Sequence, residues 1–567
     1  MSLLPVQSPS SSPTPRKLRP PSDVMTPEAL SAYKSSRLSF LRLLIGKLAH
    51  ERWQIARERW ELDEEGHGLA IYRIQGPDAD FSFVVFSDNL PEERRTDRIV
   101  ENHYDGEAFL CIGAPSEAQI EAQRGQFADF LTGRADAKTV GWTRVNRSGR
   151  IFDAVVEALA EGRQPDDALI ASAGYLVRNN GFWGNGRHGS TVFPANAGKG
   201  FLGLPYHADL LTLYLWRHFS VELAEHIARM RNPAASPLDR RLKKYLGVGN
   251  ASGLGLVPFV LRHPARVNHW VRLRERAYAE ARARRPVAQE RAALLSLLDR
   301  AIAYYASGLQ VRDGIFQSSE ALVADLRRLR DAANAQPLEQ SWEALAVWAE
   351  AEIGREALEL LHALLLEVHP DIAEALAPEV VSGVNNPVSP QPAQSVAALQ
   401  ALLRERYAWA LAIDLAAPDA RRHFWYLSRD NLEPRLGERG IDPGEAYETY
   451  VDVVGDLQSL DRALSRMAPD KSVAHLLLRH PALRLIAERV QTTQQLDYGE
   501  VRACVTHPDF EPCHLIRFTL TLYGMEKLDP QSRLWVRGTF LQGAPLAEEI
   551  AAGQEGDWIF PMLDSNA

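Results

Sequence analysis

Apolar residues recur at helical spacing through the middle of this chain and alternate only near its two ends. PYHADLLTLYLWRHFSVELAEHIARM, 205 to 230, carries one long helical pattern. A helix-rich block from about Pro264 to Val368 follows, broken near Arg285-Pro286 and Gln336-Pro337, where proline stops a helix. Strand signals are confined to short runs. GLAIYRIQG and FSFVVFSD flank a Pro-Asp-Ala-Asp turn and suit a hairpin, with EAFLCIG as a third strand. CHLIRFTLTLYGM alternates well, and with RLWVRGTFLQG it is expected to form a second hairpin. The pattern predicts an α+β fold, predominantly α-helical, with small antiparallel strand groups near both ends. Whether the two groups share one sheet is left open.

Punctuation sets the expected domains. Residues 1 to about 25 are rich in Ser and Pro and read as a disordered tail. Thr26 then suits an N-cap and Pro27 a first helical position. The expected helix beyond carries Leu38, Leu41, Leu44, Ile45 and Leu48 as one stripe. Residues 26–380 form the expected main helical α+β domain. The segment VSGVNNPVSPQPAQS, 381–395, has three prolines and little apolar bulk, and is expected to be a linker or long surface loop. Residues 396–567 then form a C-terminal α+β domain.

Composition narrows the partners. The chain has 567 residues, a formal net charge of −9 and a sequence pI near 6.0. That balance gives no basic footprint for nucleic acid. Three cysteines in so long a chain argue against a disulfide framework. The N-terminus lacks a cationic stretch followed by an apolar one, and no apolar run reaches spanning length. The expectation is a cytoplasmic, soluble protein with no membrane partner.

Chemistry concentrates in YLVRNNGFWGNGRHGSTVF, 175 to 193. Its glycines free the backbone for close approach of a ligand, and exposed amides in such a loop form an anion nest. Arg178 and Arg187 supply bidentate donors for a carboxylate or phosphate. Asn180 and Asn185 orient polar groups, Trp183 excludes water, and His188 is the natural acid–base group. The spacing matches neither a dinucleotide fingerprint nor a P-loop, and the preceding ALIASAGYLVR is expected to be a helix ending near Arg178. The plainer reading is a glycine-rich connection whose arginines pair with structural acids.

A second segment, KKYLGVGNASGLGLVPFVLRHPARVNHW (243 to 270), offers Asn250, Ser252 and His263, with a helix expected to begin near Ser252 or Leu254. Convergence of the two segments would make a pocket; a tight connection between packed helices is the alternative. His207, at an expected helix start, is a further catalytic candidate, or else a cap or core residue. RRHFWYLSRDNLEPRLGER (421 to 439) has five arginines with aromatics and acids, and is favoured as a structural ion-pair network. VNRSGR (145 to 150) is favoured as a plain helix-start loop. Two partial metal sets occur: Glu359-x-x-His362, without a second such pair, and Cys504, His507, Cys513 and His514, at a spacing unlike common zinc pairs. Neither is a complete set, so no metal is expected to co-purify, and the cofactor is left open. These features point to a metabolic enzyme that binds a small anionic, carboxylate-bearing molecule and uses acid–base chemistry. The alternative is a non-catalytic binding or scaffold protein.

Overall fold

The structure, a computed structural model, describes residues 18–78, 80–88, 105–124, 139–144, 146–179, 200–204, 206–252, 264–307, 319–381, 391–417, 424–428, 435–436, 447–499, 512–525, 527–530 and 536–563. The fold is α+β and predominantly helical. Its principal helices are α1 (Pro21–Val24), α2 (Pro27–Ala32), α3 (Phe40–His50), α4 (Asn146–Ala160), α5 (His207–Arg231), α6 (Arg240–Tyr245), α7 (Pro264–Ala283), α8 (Ala288–Ala306), α9 (Ser319–Ala335), α10 (Trp342–Glu352), α11 (Arg355–Val368), α12 (Val396–Leu411) and α13 (Pro512–Tyr523). The strands are β1 (Gln54–Leu62), β2 (Gly68–Gln75), β3 (Asp80–Ser87), β4 (Gly106–Ile112), β5 (Thr139–Thr143), β6 (Tyr175–Asn179), β7 (Gly247–Ser252), β8 (Phe424–Ser428), β9 (Arg435–Leu436), β10 (Tyr447–Asp452), β11 (Lys527–Pro530) and β12 (Val536–Phe540).

The strands near the two ends meet. One nine-stranded sheet runs β1-β2-β3-β4-β5-β6-β7-β12-β11, and a three-stranded sheet runs β10-β8-β9. The large sheet takes β11 and β12 from beyond the proline-rich segment, so it draws strands from both sides of 381–395. The expected hairpin is β2–β3, with β4 beside it in antiparallel register. The helix breaks expected near 285 and 336 fall between α7 and α8 and between α9 and α10.

Four local expectations give way. CHLIRFTLTLYGM is helix α13, not a strand. Leu515, Ile516, Phe518 and Leu520 are buried, but so are Arg517, Thr519 and Thr521. Burial on every side erases the meaning of the alternation. Arg517 pairs with Glu356 at 2.9 Å, and the threonine hydroxyls donate back to Leu515 and Phe518 carbonyls. The partner of β12 is therefore β11. ALIASAGYLVR is helical only to Ala171; Gly174, at φ +80, ends it and β6 begins one residue later. The 243–270 segment passes through strand β7, so Ser252 ends a strand rather than capping a helix, and the next described helix starts at Pro264. The stretch after Thr26 splits into α2 and α3. Thr26 caps α2 as expected, accepting from the Ala29 N–H. Between the helices Ser35 and Ser39 donate to the Met525 and Thr521 carbonyls, and this side-chain bonding competes with a continuous helix.

The expected tail also ends early, because residues 18–25 are described and include α1. Arg19 is buried and bonds Glu275 of α7 at 2.7 Å and Glu359 of α11 at 2.6 Å. Lys34 reaches Glu356 at 2.6 Å, and Arg37 and Arg42 both reach Glu367. Glu356, Glu359 and Glu367 all lie on α11, so the N-terminal segment is fastened to that helix by charge. One guanidinium serves two carboxylates at Arg19. Burial pushes Glu275 up, whereas Arg19 and His362 overcome burial and hold Glu359 well below the usual carboxylate range.

Removing one member of such a buried set leaves uncompensated charge. Arg19→Met should cost about 3–5 kcal/mol, read as a lower denaturation midpoint. Adding Glu275→Gln should restore part of the loss. An unchanged midpoint in Arg19→Met would show that the segment is not fastened this way.

Candidate functional site

β6 and β7 are parallel, in a sheet whose other pairs are antiparallel. Arg178 lies opposite Gly249, and Tyr175 opposite Gly247. The 180–199 and 253–263 segments thus leave adjacent strands at the same end of the sheet. Side chains explain part of the glycine content. A Cβ on Gly249 would meet the Tyr175 ring at 2.6 Å, and one on Gly247 the Phe540 carbonyl at 2.1 Å. These two glycines serve close packing within the sheet rather than approach of a ligand.

Helix α5 supports this end. Arg217, in its middle, is buried and donates to the carbonyls of Leu246, Lys243, Lys244, Ala544 and Pro545. Leu246 immediately precedes β7. Further along α5, Glu225 bonds Lys243 and the Leu238 N–H, both upstream of β7. The helix therefore runs against the direction of β6 and β7. Ten residues of helix from 217 back to 207 span about 15 Å. The five steps of β7 span about 17 Å. The α5 N-terminus is brought to the end where both segments leave.

The first turn of α5 is buried and polar. Tyr206, its N-cap, is in the left-handed region at φ +61 and gives no side-chain cap. His207 is 2 % exposed, its ring 4.7 Å from that of Phe201, and neither ring nitrogen has a hydrogen-bond partner. Burial, with Lys47 nearby, lowers its pKa to about 3. Asp209 is buried and no cation pairs with it among the described residues; burial pushes its carboxyl up to about 7. Its charge is felt by the Tyr206 and Tyr523 phenols, whose rings lie 4.8 Å apart.

Of the residues singled out from sequence, Arg178 is half-buried at the penultimate position of β6, with no ion-pair partner among the described residues. Asn250 and Ser252 lie in β7 opposite Gly538 and Val536. Asn180, Trp183, Asn185, Arg187, His188 and His263 lie outside the described residues. His207 is at this end of the sheet, but it is not a group that titrates near neutrality. Asp209 is, and sequence reasoning passed over it. Its only signal was an acid in the first turn of a helix, next to the apolar Ala208, Leu210 and Leu211.

The partial metal sets are used otherwise or lie elsewhere. Glu359 is committed to Arg19, and Cys513 is buried on α13, while Cys504 and His507 lie outside the described residues. Among the described residues no group of three His, Cys, Asp or Glu is placed to hold a metal ion, and no helix is long and apolar enough to cross a membrane. No protein-family model matches the chain, and neither the curated proteins nor the solved structures contain a match.

The two buried groups have opposite pH signatures. Folded Asp209 holds its proton up to about pH 7, while unfolded Asp loses it near 3.8, so its contribution to stability is lost as pH rises from about 4 to 7. Folded His207 stays neutral down to about 3, while unfolded His gains a proton near 6.5, so its contribution is lost as pH falls from about 6.5 to 3. Between pH 4 and 6.5 the slopes, about 1.4 kcal/mol per pH unit each, oppose one another. Asp209→Asn should therefore expose a rise in stability with pH over that window, and His207→Phe a fall. Chemical denaturation at pH 4.5, 5.5 and 6.5 measures both. Identical slopes in the two variants would refute the assignment.

Proposed function

We propose that this chain is an enzyme that binds a small carboxylate-bearing molecule at the C-terminal ends of β6 and β7 and acts on it by acid–base chemistry. One observation carries the reading: two glycine- and asparagine-rich segments leave adjacent parallel strands at the end where the α5 N-terminus arrives. The carboxyl ends of a parallel strand pair open to the same side, and helix N-termini attract anions. Arg178 supports it as a half-buried cation without a protein partner among the described residues. In this reading Arg178 and Arg187 hold the carboxylate, and Asn180, Asn185, Asn250 and Ser252 orient polar groups. Trp183 and His263 line the pocket. Asp209 joins His188 as a proton-carrying candidate, because a group poised near the working pH transfers protons best.

A thermal-shift screen with small carboxylic acids tests the reading, since a ligand that binds only the folded state raises the melting temperature. Wild-type protein should respond to at least one acid. Arg178→Ala and Arg187→Ala should each weaken that response by about one to two decades in affinity, the worth of a charge-assisted hydrogen bond. His188→Ala should bind nearly normally and lose turnover about a hundredfold. A wild-type protein indifferent to every acid would return the chain to the scaffold alternative.

A further inference from the structure

We propose that the first turn of α5 is an oxyanion subsite, in which the His207 imidazole and the N-terminal amides of the helix together hold the carboxylate of the bound molecule. The proposal rests on the reading above and adds the donor set.

Two independent observations meet at this place. The first is the helix end itself. α5 is 25 residues long, and its N-cap residue Tyr206 offers no side-chain acceptor to the first-turn N–H groups. The His207 N–H meets the Leu204 carbonyl at 3.3 Å; the remaining first-turn N–H groups have no acceptor within the helix, and they carry the positive end of its dipole. The second is the His207 side chain. It is 2 % exposed with both ring nitrogens unpartnered; the Phe201 backbone lies close without completing a hydrogen bond. A buried imidazole N–H without an acceptor carries its full desolvation cost, so a native structure that retains one implies an acceptor yet to come. Side chains on a helix lean toward its N-terminus, and the His207 ring rests on Phe201 of the turn Gly200–Gly203 that precedes α5. The imidazole and the amides thus face the same end.

The surrounding charges favour an anion. Lys47 of α3, itself paired with Glu51, acts on His207, and Arg266 of α7 acts on Tyr206. The one acid of the turn, Asp209, is protonated up to about pH 7 and so does not repel a carboxylate below it. His207 stays neutral there, which leaves one ring N–H to donate. A second group of cations is already matched. A cavity of about 610 Å³ holds Arg240, Arg241, Lys244 and Arg300, but these pair with Glu549, Asp167, Glu549 and Asp557 in turn.

The test uses the full chain labelled with ¹⁵N at histidine, titrated with sodium acetate against sodium chloride at equal ionic strength. The His207 ring signals are identified by their loss in His207→Phe, a variant that keeps a ring against Phe201. Acetate, and not chloride, should raise the melting temperature and shift the His207 ring nitrogens, and His207→Phe should raise the acetate Kd at least tenfold. If acetate stabilises the protein, Arg178→Ala abolishes the effect and the His207 signals stay still, the subsite is wrong and the broader reading stands. If the wild-type protein shows no response to acetate or to any other small carboxylate, that reading fails with it. Should His207→Phe not fold, His207→Gln supplies the assignment, and the wild-type ring shifts then decide.

Discussion

Arg217 sets how α5 lies against β6 and β7. Its guanidinium bonds five backbone carbonyls and no carboxylate. Those carbonyls come from three places in the chain: α6, the residue before β7, and the turn after β12. A planar group with donors in fixed directions suits such a convergence better than an ammonium would. Burial lowers its pKa only to about 10, so it stays charged. Tyr214, one turn earlier, donates to the same Pro545 carbonyl. The direction of α5 relative to β6 and β7 follows from this clamp, and so does the arrival of the α5 N-terminus beside the ends of those strands.

A second fastening ties the N-terminal segment to α7 and α11. The N-terminal segment lays Arg19, Lys34, Arg37 and Arg42 against acids of α11 and α7. Buried pairs of this kind add little over well-packed apolar residues, yet they are intolerant of losing one member. They also fix register. With the segment held, Phe40 is placed against Tyr206 at 4.6 Å and Trp270 at 4.9 Å. The N-terminal segment thus backs the residue that begins α5, and the charge network and the candidate site form one mechanical unit.

The first turn of α5 holds an acid that keeps its proton and a histidine that refuses one. Both states have the same cause, since burial disfavours charge of either sign. An interior of this kind favours hydrogen-bond donation without a formal charge on the donor.

The sequence by itself determined the helical majority, the β2–β3 hairpin with β4, the Thr26 cap and the proline breaks around α8 and α10. Each rests on interactions within a few residues, where spacing and capping chemistry decide. The two glycine-rich segments were legible as candidate sites for the same reason. The sequence did not determine α13 or β6. Alternation implies a strand only when one face is wet, and α13 is buried all round. An Ala-Leu-Ile run implies a helix only until a residue such as Gly174 turns left-handed and neighbouring strands supply partners. Nor did it determine that the end strands share a sheet, that Arg19 is interior, or that Asp209 titrates near 7. Those were decided by tertiary structure, because strand pairing, burial and the electrostatic cost of charge depend on residues hundreds of positions away.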